Sequence, residues 1–380
     1  MNTSHLPRAW AEIRLSHFER NIQKIKSVLP GGVCYIAVVK ADGYGHGVGH
    51  IVERLLQCGV HAFAVANVRE GSDVRYVAPQ SEIFVLGPTL PEEMEAAVAD
   101  RLTVALSDIA EAEAFNALAL SRGKRIPVSL KIDTGMGRMG VWHEAAQPLI
   151  ERLIALPALE FRSIFTHFSS ADTSLEYTQL QRERFLNVVE KIPVAVREKL
   201  LIHADNSAGL ESFSCRKPFN AVRVGILQYG LPPAEGTFFS KISPEPVLAF
   251  RSRIGLIKTL PAGAAVSYNR TKILSRDTRV AIVTAGYGDG IPTAASNRAQ
   301  FIVRGKRVPV IGRVTMDQTL IDVSELPEAR VGDVVTLIGE ADGEAVSIES
   351  FCAWGDCIPW EALVSITKRV PRIYEGLRSQ

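Results

Sequence analysis

Between residues 35 and 227, short apolar runs alternate with amphipathic segments of helical period, eight times over and without reversal; few folds accept that order. The runs 35–39, 62–66, 83–86, 102–106, 126–132, 160–166, 200–204 and 222–227 have the length and composition of buried strands. Stretches such as "VGHIVERLLQCG", "LPEEMEAAVAD", "IAEAEAFNALALSRG" and "SLEYTQLQRERFLNVVEKI" supply the helices between them. Eight strand-helix units in a row predict a closed (β/α)8 TIM barrel rather than an open sheet. Chemistry on such a barrel is expected at the C-terminal ends of its strands.

The pattern changes at "LPPAEGTFFSKISPEP". Beyond it, "RVAIVTAGYGDG", "QFIVRGKRVPVIGRV", "TLIDVS" and "GDVVTLIGE" are β-branched runs parted by glycine turns, which predicts a mainly β second domain. The expected division is a barrel over 13–235 and a β domain over 245–380. The opening "RAWAEIRLSHFERNIQKIK" alternates like a strand before turning helical, leaving segment 1–12 to join either domain, the β domain included. A chain of 380 residues suits two domains, and a net charge of +2 with no block of either sign gives no case for nucleic acid or an acidic membrane. No apolar run has the length to span a bilayer, and "MNTSHLPRAW" lacks the features of a secretory signal, so a cytoplasmic location is expected. The five cysteines, at 34, 58, 215, 352 and 357, fit neither a disulfide framework nor zinc pairs; reduced thiols and no metal site are expected.

On the barrel, the strand-end positions are Lys40 after the first strand, Lys131 and Arg138 in "KIDTGMGRMG" after the fifth, His167 after the sixth, "HADNSAG" after the seventh, and Arg223 with Gly225 in the eighth. Barrels commonly build a phosphate site from the loops after their last two strands. Ser207 and the amides of Gly225 and Ile226 sit there as neutral anion donors. Lys40 ends an apolar run, where a lone ammonium costs several kcal/mol. Two readings stay open: a lysine that snorkels at the rim, and a lysine converted to a Schiff base with pyridoxal phosphate. Tyr44, in the glycine-rich loop that follows, either reaches a phosphate or packs. His167 and Arg223 equally suit a satisfied core histidine and a structural ion pair.

The strings "VVKADGYGHG", "KIDTGMGRMG", "THFSSAD", "HADNSAG", "RVGI", "VSYNRT", "AGYGDGIP", "GRVTMDQTLIDVS" and "KRVPRIY" resemble, in order from near residue 8 to about 374, the alanine racemase family of pyridoxal-phosphate enzymes. The resemblance implies that Lys40 is the Schiff-base lysine and that Tyr44, Ser207, Gly225 and Ile226 hold the phosphate. It implies further that Arg223 faces the pyridine nitrogen with His167 bonded to it, that Arg138 binds the cofactor's phenolic oxygen and the substrate carboxylate, and that Met316 adds an amide to that carboxylate. Tyr268 would be the second acid/base, contributed by the partner subunit of a homodimer. Lys131 either carries a carbamate, as in some family members, or is an ordinary salt-bridged lysine. The implied reaction interconverts L- and D-alanine, supplying D-alanine for peptidoglycan.

Racemisation removes a proton from one face of the α-carbon and returns one to the other, so two bases are required. Lysine and tyrosine have ordinary pKa values of ~10.4 and ~10. Desolvation lowers the first and raises the second, so the tyrosine needs nearby cations. An arginine toward the ring nitrogen keeps its own proton and leaves the ring a weaker electron sink than a carboxylate would, which favours racemisation over transamination. The chain departs from the family at Trp360, in "CIPWEALVSI", where a tyrosine on the phosphate is usual, and at Asn269, where glycine is usual. A broad-specificity or serine racemase and a fold-related amino-acid decarboxylase share this architecture. A decarboxylase would offer an acid to the ring nitrogen and a cysteine in place of Tyr268. A non-catalytic pyridoxal-phosphate-binding protein would need neither the β domain nor Tyr268.

Overall fold

The computed structural model describes residues 7–213, 216–234 and 236–375. All eight expected strand regions hold a strand. After β1 (Ala9–Arg14) come β2 (Cys34–Val38), β3 (Ala62–Val65), β4 (Glu82–Val85), β5 (Thr103–Leu106), β6 (Ile126–Asp133), β7 (Leu159–Phe165), β8 (Leu201–His203) and β9 (Ala221–Val224). These last eight pair in parallel in the order β9-β2-β3-β4-β5-β6-β7-β8, a nearly closed barrel. Their runs read as continuously apolar because both faces are covered: Ile36, Ala37, Phe63, Ala64, Ile83 and Val104 are all buried.

The seam between β8 and β9 is closed largely by one side chain. Asn220 donates its amide to the Ile202 carbonyl at 3.1 Å and accepts the Ile202 N–H on Oδ1 at 2.8 Å. Its Nδ2 donates to the Leu200 carbonyl at 2.9 Å, and farther along the seam the Arg223 amide reaches the Asp205 carbonyl at 3.0 Å. Three of the connecting helices start on capping side chains, Asn67, Asp108 and Ser174, which accept the N–H of Glu70, Glu111 and Tyr177. Two sequence placements are corrected. Lys131 lies inside β6, which runs to Asp133, and Gly225 lies beyond β9, because its ψ of −106° turns the chain into a short 3-10 turn, Ile226–Tyr229.

The chain divides into two compact units. One comprises Phe18–Gly43 and Gly47–Glu245 and contains the barrel; the other gathers the segment ending at His17, the triplet Tyr44–His46, and the chain from Pro246 onward. In the second unit β10 (Leu248–Leu260), β11 (Thr278–Val283), β12 (Gln300–Val303), β13 (Lys306–Pro309), β14 (Thr319–Asp322), β15 (Val334–Ala341), β16 (Glu344–Val346) and β17 (Arg372–Glu375) join β1. The order is β13-β12-β15-β10-β1-β17, with β11 and β14 continuing from β10 and β16 from β15. β1 runs antiparallel to β10 and parallel to β17, and a partly buried ion pair, Arg251 to Glu12 at 2.8 Å, ties β10 to β1. Two helices, Ile348–Gly355 and Pro359–Ser365, complete a mainly β unit. Cys34, Cys58, Cys352 and Cys357 are free thiols, and Cys215 lies outside the described residues. Among the described residues no helix is long and apolar enough to cross a membrane.

Phe63 is fully buried in β3. Phe63→Ala is expected to cost about 3–5 kcal/mol of unfolding free energy, read from the urea midpoint at unchanged slope.

Candidate active site

The barrel's C-terminal mouth is built around a buried guanidinium. Arg223 stands near the end of β9, almost wholly enclosed, and its two terminal nitrogens are fully committed. Nη1 donates to His203 Nδ1 at 2.8 Å and to the His203 carbonyl at 3.2 Å. Nη2 donates to the carbonyls of Thr166 and Ala204 at 2.8 and 2.9 Å and to His167 Nδ1 at 3.2 Å. None of these bonds uses Nε, which is left for a ligand acceptor. Burial pulls this guanidinium down to about 10, against a raising effect of Asp205, and it stays protonated at neutral pH.

Because arginine only donates, both histidines must present unprotonated Nδ1 to it, which puts the ring proton on Nε2. Burial, then the charges of Arg223 and Lys131, hold His203 well below the ordinary histidine range. His167 is held down by burial and by Arg223, Lys131, Arg138 and Lys40, in that order. His203 is stacked on Phe165 at 5.2 Å between centroids, and its Nε2 is enclosed with no hydrogen bond among the described residues.

Lys40 is half-buried two residues beyond β2. Burial lowers its pKa most; Arg138 and Arg223 lower it further, and Glu70 opposes them. The chain then makes a left-handed turn, with φ of 52° at Ala41, 56° at Asp42, 62° at Gly43 and 55° at Tyr44. Three of these are not glycine, so the turn stores about 1–2 kcal/mol for each of them. Lys131 is buried in β6 with its ammonium 4.8 Å from the centroid of Phe165. Burial, then Arg223 and Arg138, push its pKa well down, with Asp133 acting the other way. Gly140, at φ 106°, passes so close that a Cβ there would lie 2.7 Å from Lys131 Cγ.

Arg138 is exposed and makes no hydrogen bond or ion pair among the described residues. Its loop is formed by Asp133, whose Oδ1 accepts the amides of Gly135, Met136 and Gly137 at 2.9, 3.0 and 3.1 Å. Ser207 Oγ accepts the Gly225 amide at 2.9 Å, and Ile226 opens a turn that leaves its first amide unused internally. The barrel unit thus brings together Lys40, Lys131, Arg138, His167, Ser207, Arg223, Gly225 and Ile226.

Tyr44, Tyr268 and Met316 belong to the second unit. Tyr44 is buried, and its phenol is pushed well up by that burial. The two residues after it are fixed within the second unit: Arg372 donates to the Gly45 carbonyl and Tyr374 to the His46 carbonyl, both at 3.0 Å. A Cβ on Gly45 would sit 2.6 Å from the Leu363 carbonyl oxygen. Tyr268 is 68% exposed and Met316 52% exposed. Tyr268 is flanked by left-handed residues, Ser267 at φ 62° and Asn269 at 59°, and Ser267 Oγ anchors the turn on the Arg313 carbonyl at 2.7 Å. Trp360 is half-exposed on the helix Pro359–Ser365.

The family model for the N-terminal domain of alanine racemase matches residues 13–233, and that for its C-terminal domain matches residues 247–374. The chain belongs to the alanine racemase family. It is 36% identical to the alanine racemase of Halothermothrix orenii and 37% identical to that of Symbiobacterium thermophilum, with 99% of each chain covered in both cases. Its structure is similar to that of the alanine racemase of Clostridium difficile 630, with a TM-score of 0.90 at 30% identity over 97% of this chain and 96% of the other. The alanine racemase of Bacillus anthracis, with bound L-Ala-P, gives a TM-score of 0.86 at 30% identity over 97% and 95%. Membership makes the chain an amino-acid racemase.

Within this racemase frame the residues that sequence reasoning left without a role are His203, Asp133 and Glu70. His203 lies inside the quoted "HADNSAG", yet only the fold shows its ring against Arg223. Glu70 has a local signal, an asparagine three residues ahead of a glutamate at a helix start, but nothing local points it at Lys40.

The lowered histidine pKa values carry a sign. A group that is neutral in the fold and takes a proton near pH ~6.5 when unfolded makes stability fall as pH drops below that value. The His203 ring carbons are expected to show no protonation shift by NMR between pH 7.5 and about 5.5, while the urea midpoint declines over the same interval.

Proposed function

We propose that this racemase interconverts L- and D-alanine with pyridoxal phosphate, using Lys40 and Tyr268 of the partner subunit as the two acid/base groups. The observation that carries the reading is the half-buried Lys40, whose ammonium is destabilised by burial and by Arg138 and Arg223. The donor set fits the cofactor that its family uses. Arg223 spends Nε on none of its bonds to the described residues, which suits a ring nitrogen; the Ser207 hydroxyl, which accepts the Gly225 amide and keeps its own proton to donate, and the Ile226 amide that opens the turn suit a phosphate, to which Gly225 is also assigned. Tyr44 is assigned to the same phosphate.

When bound, pyridoxal phosphate supplies an electron sink that acidifies the α-proton of the attached amino acid. The chain's own residues do the rest. Lys40, with its proton affinity reduced, takes or returns the proton on one face of the α-carbon, and Tyr268 of the partner subunit serves the other. Arg138, unpaired and exposed, grips the substrate carboxylate, helped by the Met316 amide. Arg223 donates from Nε without giving up its proton, and His167 and His203 keep it in place as neutral acceptors. The shared site requires a homodimer. D-alanine is a component of bacterial wall peptides, so the reading assigns this chain to their supply from the cytoplasm.

Incubation of the holoenzyme with single L-amino acids in deuterated water is expected to exchange the α-proton of alanine with loss of optical rotation, and Tyr268→Phe to slow it by roughly 10²–10⁴-fold. Exchange of serine as fast as alanine would overturn the substrate assignment, and an unaffected Tyr268→Phe variant the two-base scheme. Arg223→Glu is expected to release pyruvate from alanine by transamination. A variant that racemises more slowly with no pyruvate would contradict the role given to the guanidinium.

A further inference from the structure

Three of the barrel's helices start with a glutamate whose carboxylate folds back onto the backbone just ahead of it. Glu111 accepts the Ser107 amide at 2.9 Å, Glu93 the Leu90 amide at 3.0 Å, and Glu70 the Ala66 amide at 2.8 Å. Up to that point the three are the same local device. Glu70 differs in its second oxygen. Oε1 accepts the Ala41 amide at 2.9 Å, from a residue 29 positions away that opens the left-handed turn behind Lys40.

We propose that Glu70 is the positioning residue of Lys40: its carboxylate, bonded at once to the amides of Ala41 and Ala66, clamps the strained turn after β2 to the end of β3 and so fixes where the lysine stem leaves the backbone. The inference rests on the reading of Lys40 as an acid/base group.

The rest of the turn is held by the Gly43 amide on the Val39 carbonyl, the Gly47 amide on the Asp42 carbonyl, and the Val48 amide on Asp42 Oδ1, at 2.9, 2.9 and 2.8 Å. The first of these spans Lys40 and fixes the peptide ahead of it, as the Val39 amide does on the Ala64 carbonyl at 2.9 Å; the other two act beyond Ala41. The peptide directly after Lys40 is anchored only by Glu70 among these bonds. A four-residue left-handed turn relaxes toward ordinary φ unless its surroundings over-determine it, and relaxation would swing the lysine. Glu70 also acts through charge. The charged groups bearing on Lys40 are Arg138 and Arg223, which oppose its protonation, and Glu70, which favours it; neutral His167 adds no charge. One carboxylate therefore sets both the position of the lysine and the balance of its proton affinity.

The test compares Glu70→Gln, whose single carbonyl oxygen cannot replace both carboxylate oxygens, with wild type and with the control Glu111→Gln, where one oxygen suffices for the one local bond. In the holoenzyme, amide hydrogen exchange of the peptide covering residues 41–47 should quicken about tenfold in Glu70→Gln and stay at the wild-type rate in Glu111→Gln. The kcat of alanine racemisation should fall about tenfold or more with KM changed less than about twofold. In the direction in which Lys40 takes the proton, the acid limb of kcat should move to lower pH, because removing a carboxylate makes the lysine easier to deprotonate. Unchanged exchange at 41–47 would overturn the clamp. A loss of kcat with an unmoved acid limb would reduce Glu70 to a helix-starting residue. If Glu70→Gln fails to fold, Glu70→Asp keeps the charge and shortens the reach: it should quicken exchange and leave the acid limb in place, and the opposite pattern would refute the inference. Borohydride reduction of the wild-type holoenzyme, followed by mapping of the labelled peptide, keeps the two readings apart. A label away from Lys40 would sink the proposed function, whereas the exchange data would still judge the clamp.

Discussion

The site depends on the cost of keeping one guanidinium out of water. Arg223 is enclosed at the barrel mouth, and an ion there persists only if its hydrogens are matched. Three carbonyls and two imidazoles match the two terminal nitrogens, and they come from the ends of β7 and β8. The side chain therefore works as a strut between neighbouring strand ends as well as a charge. These acceptors are all neutral, and Asp205 opposes the positive field through its charge without being one of them. That field lowers the proton affinity of Lys131, His167, His203 and Lys40 together. The same charge that makes protonated histidine unfavourable also favours the unprotonated amine of Lys40, as the role proposed for it requires.

Backbone strain marks both residues to which proton transfer is assigned. Lys40 precedes a left-handed turn, and Tyr268 lies between two residues in the left-handed region. Strain of this kind survives only where hydrogen bonds over-determine the geometry: Asp42 and Glu70 do this behind Lys40, and Ser267 does it beside Tyr268. The cost is recovered as a fixed side-chain origin, which a flexible loop would not give. Asp133 provides the corresponding order for Arg138 by gathering three amides on one oxygen, without which a glycine-rich loop would wander.

The barrel was legible because its strands are buried on both faces and its helices on one, and those two burial patterns write different periods into the chain. Strand ends were legible to within a residue or two, except that the last run, 222–227, overshot its strand by three; this placed Lys40, His167 and Arg223 near the mouth without any contact being known. Lys131 was set too late and Gly225 too early, since a strand's last turn is decided by ladder bonds to its neighbours and not by its own residues. What could not be read is non-local. The direction of Glu70's second oxygen, the imidazole of His203 against Arg223, and the seam role of Asn220 each depend on a partner many positions away. The left-handed turn also escaped notice, because alanine, aspartate and tyrosine rarely adopt it and only one of its four residues is glycine.

The backbone changes allegiance between the two units four times, after His17, Gly43, His46 and Glu245, and two of those switches enclose only three residues. Neither half is thus a portable cassette. A gene fragment encoding the barrel alone would leave the Gly45 and His46 carbonyls without the donors that Arg372 and Tyr374 supply, shortly downstream of the lysine on which the chemistry is proposed to turn. Shuffling of either half among distant relatives is constrained accordingly: a transplanted C-terminal half must bring a cradle for that triplet as well as a sheet.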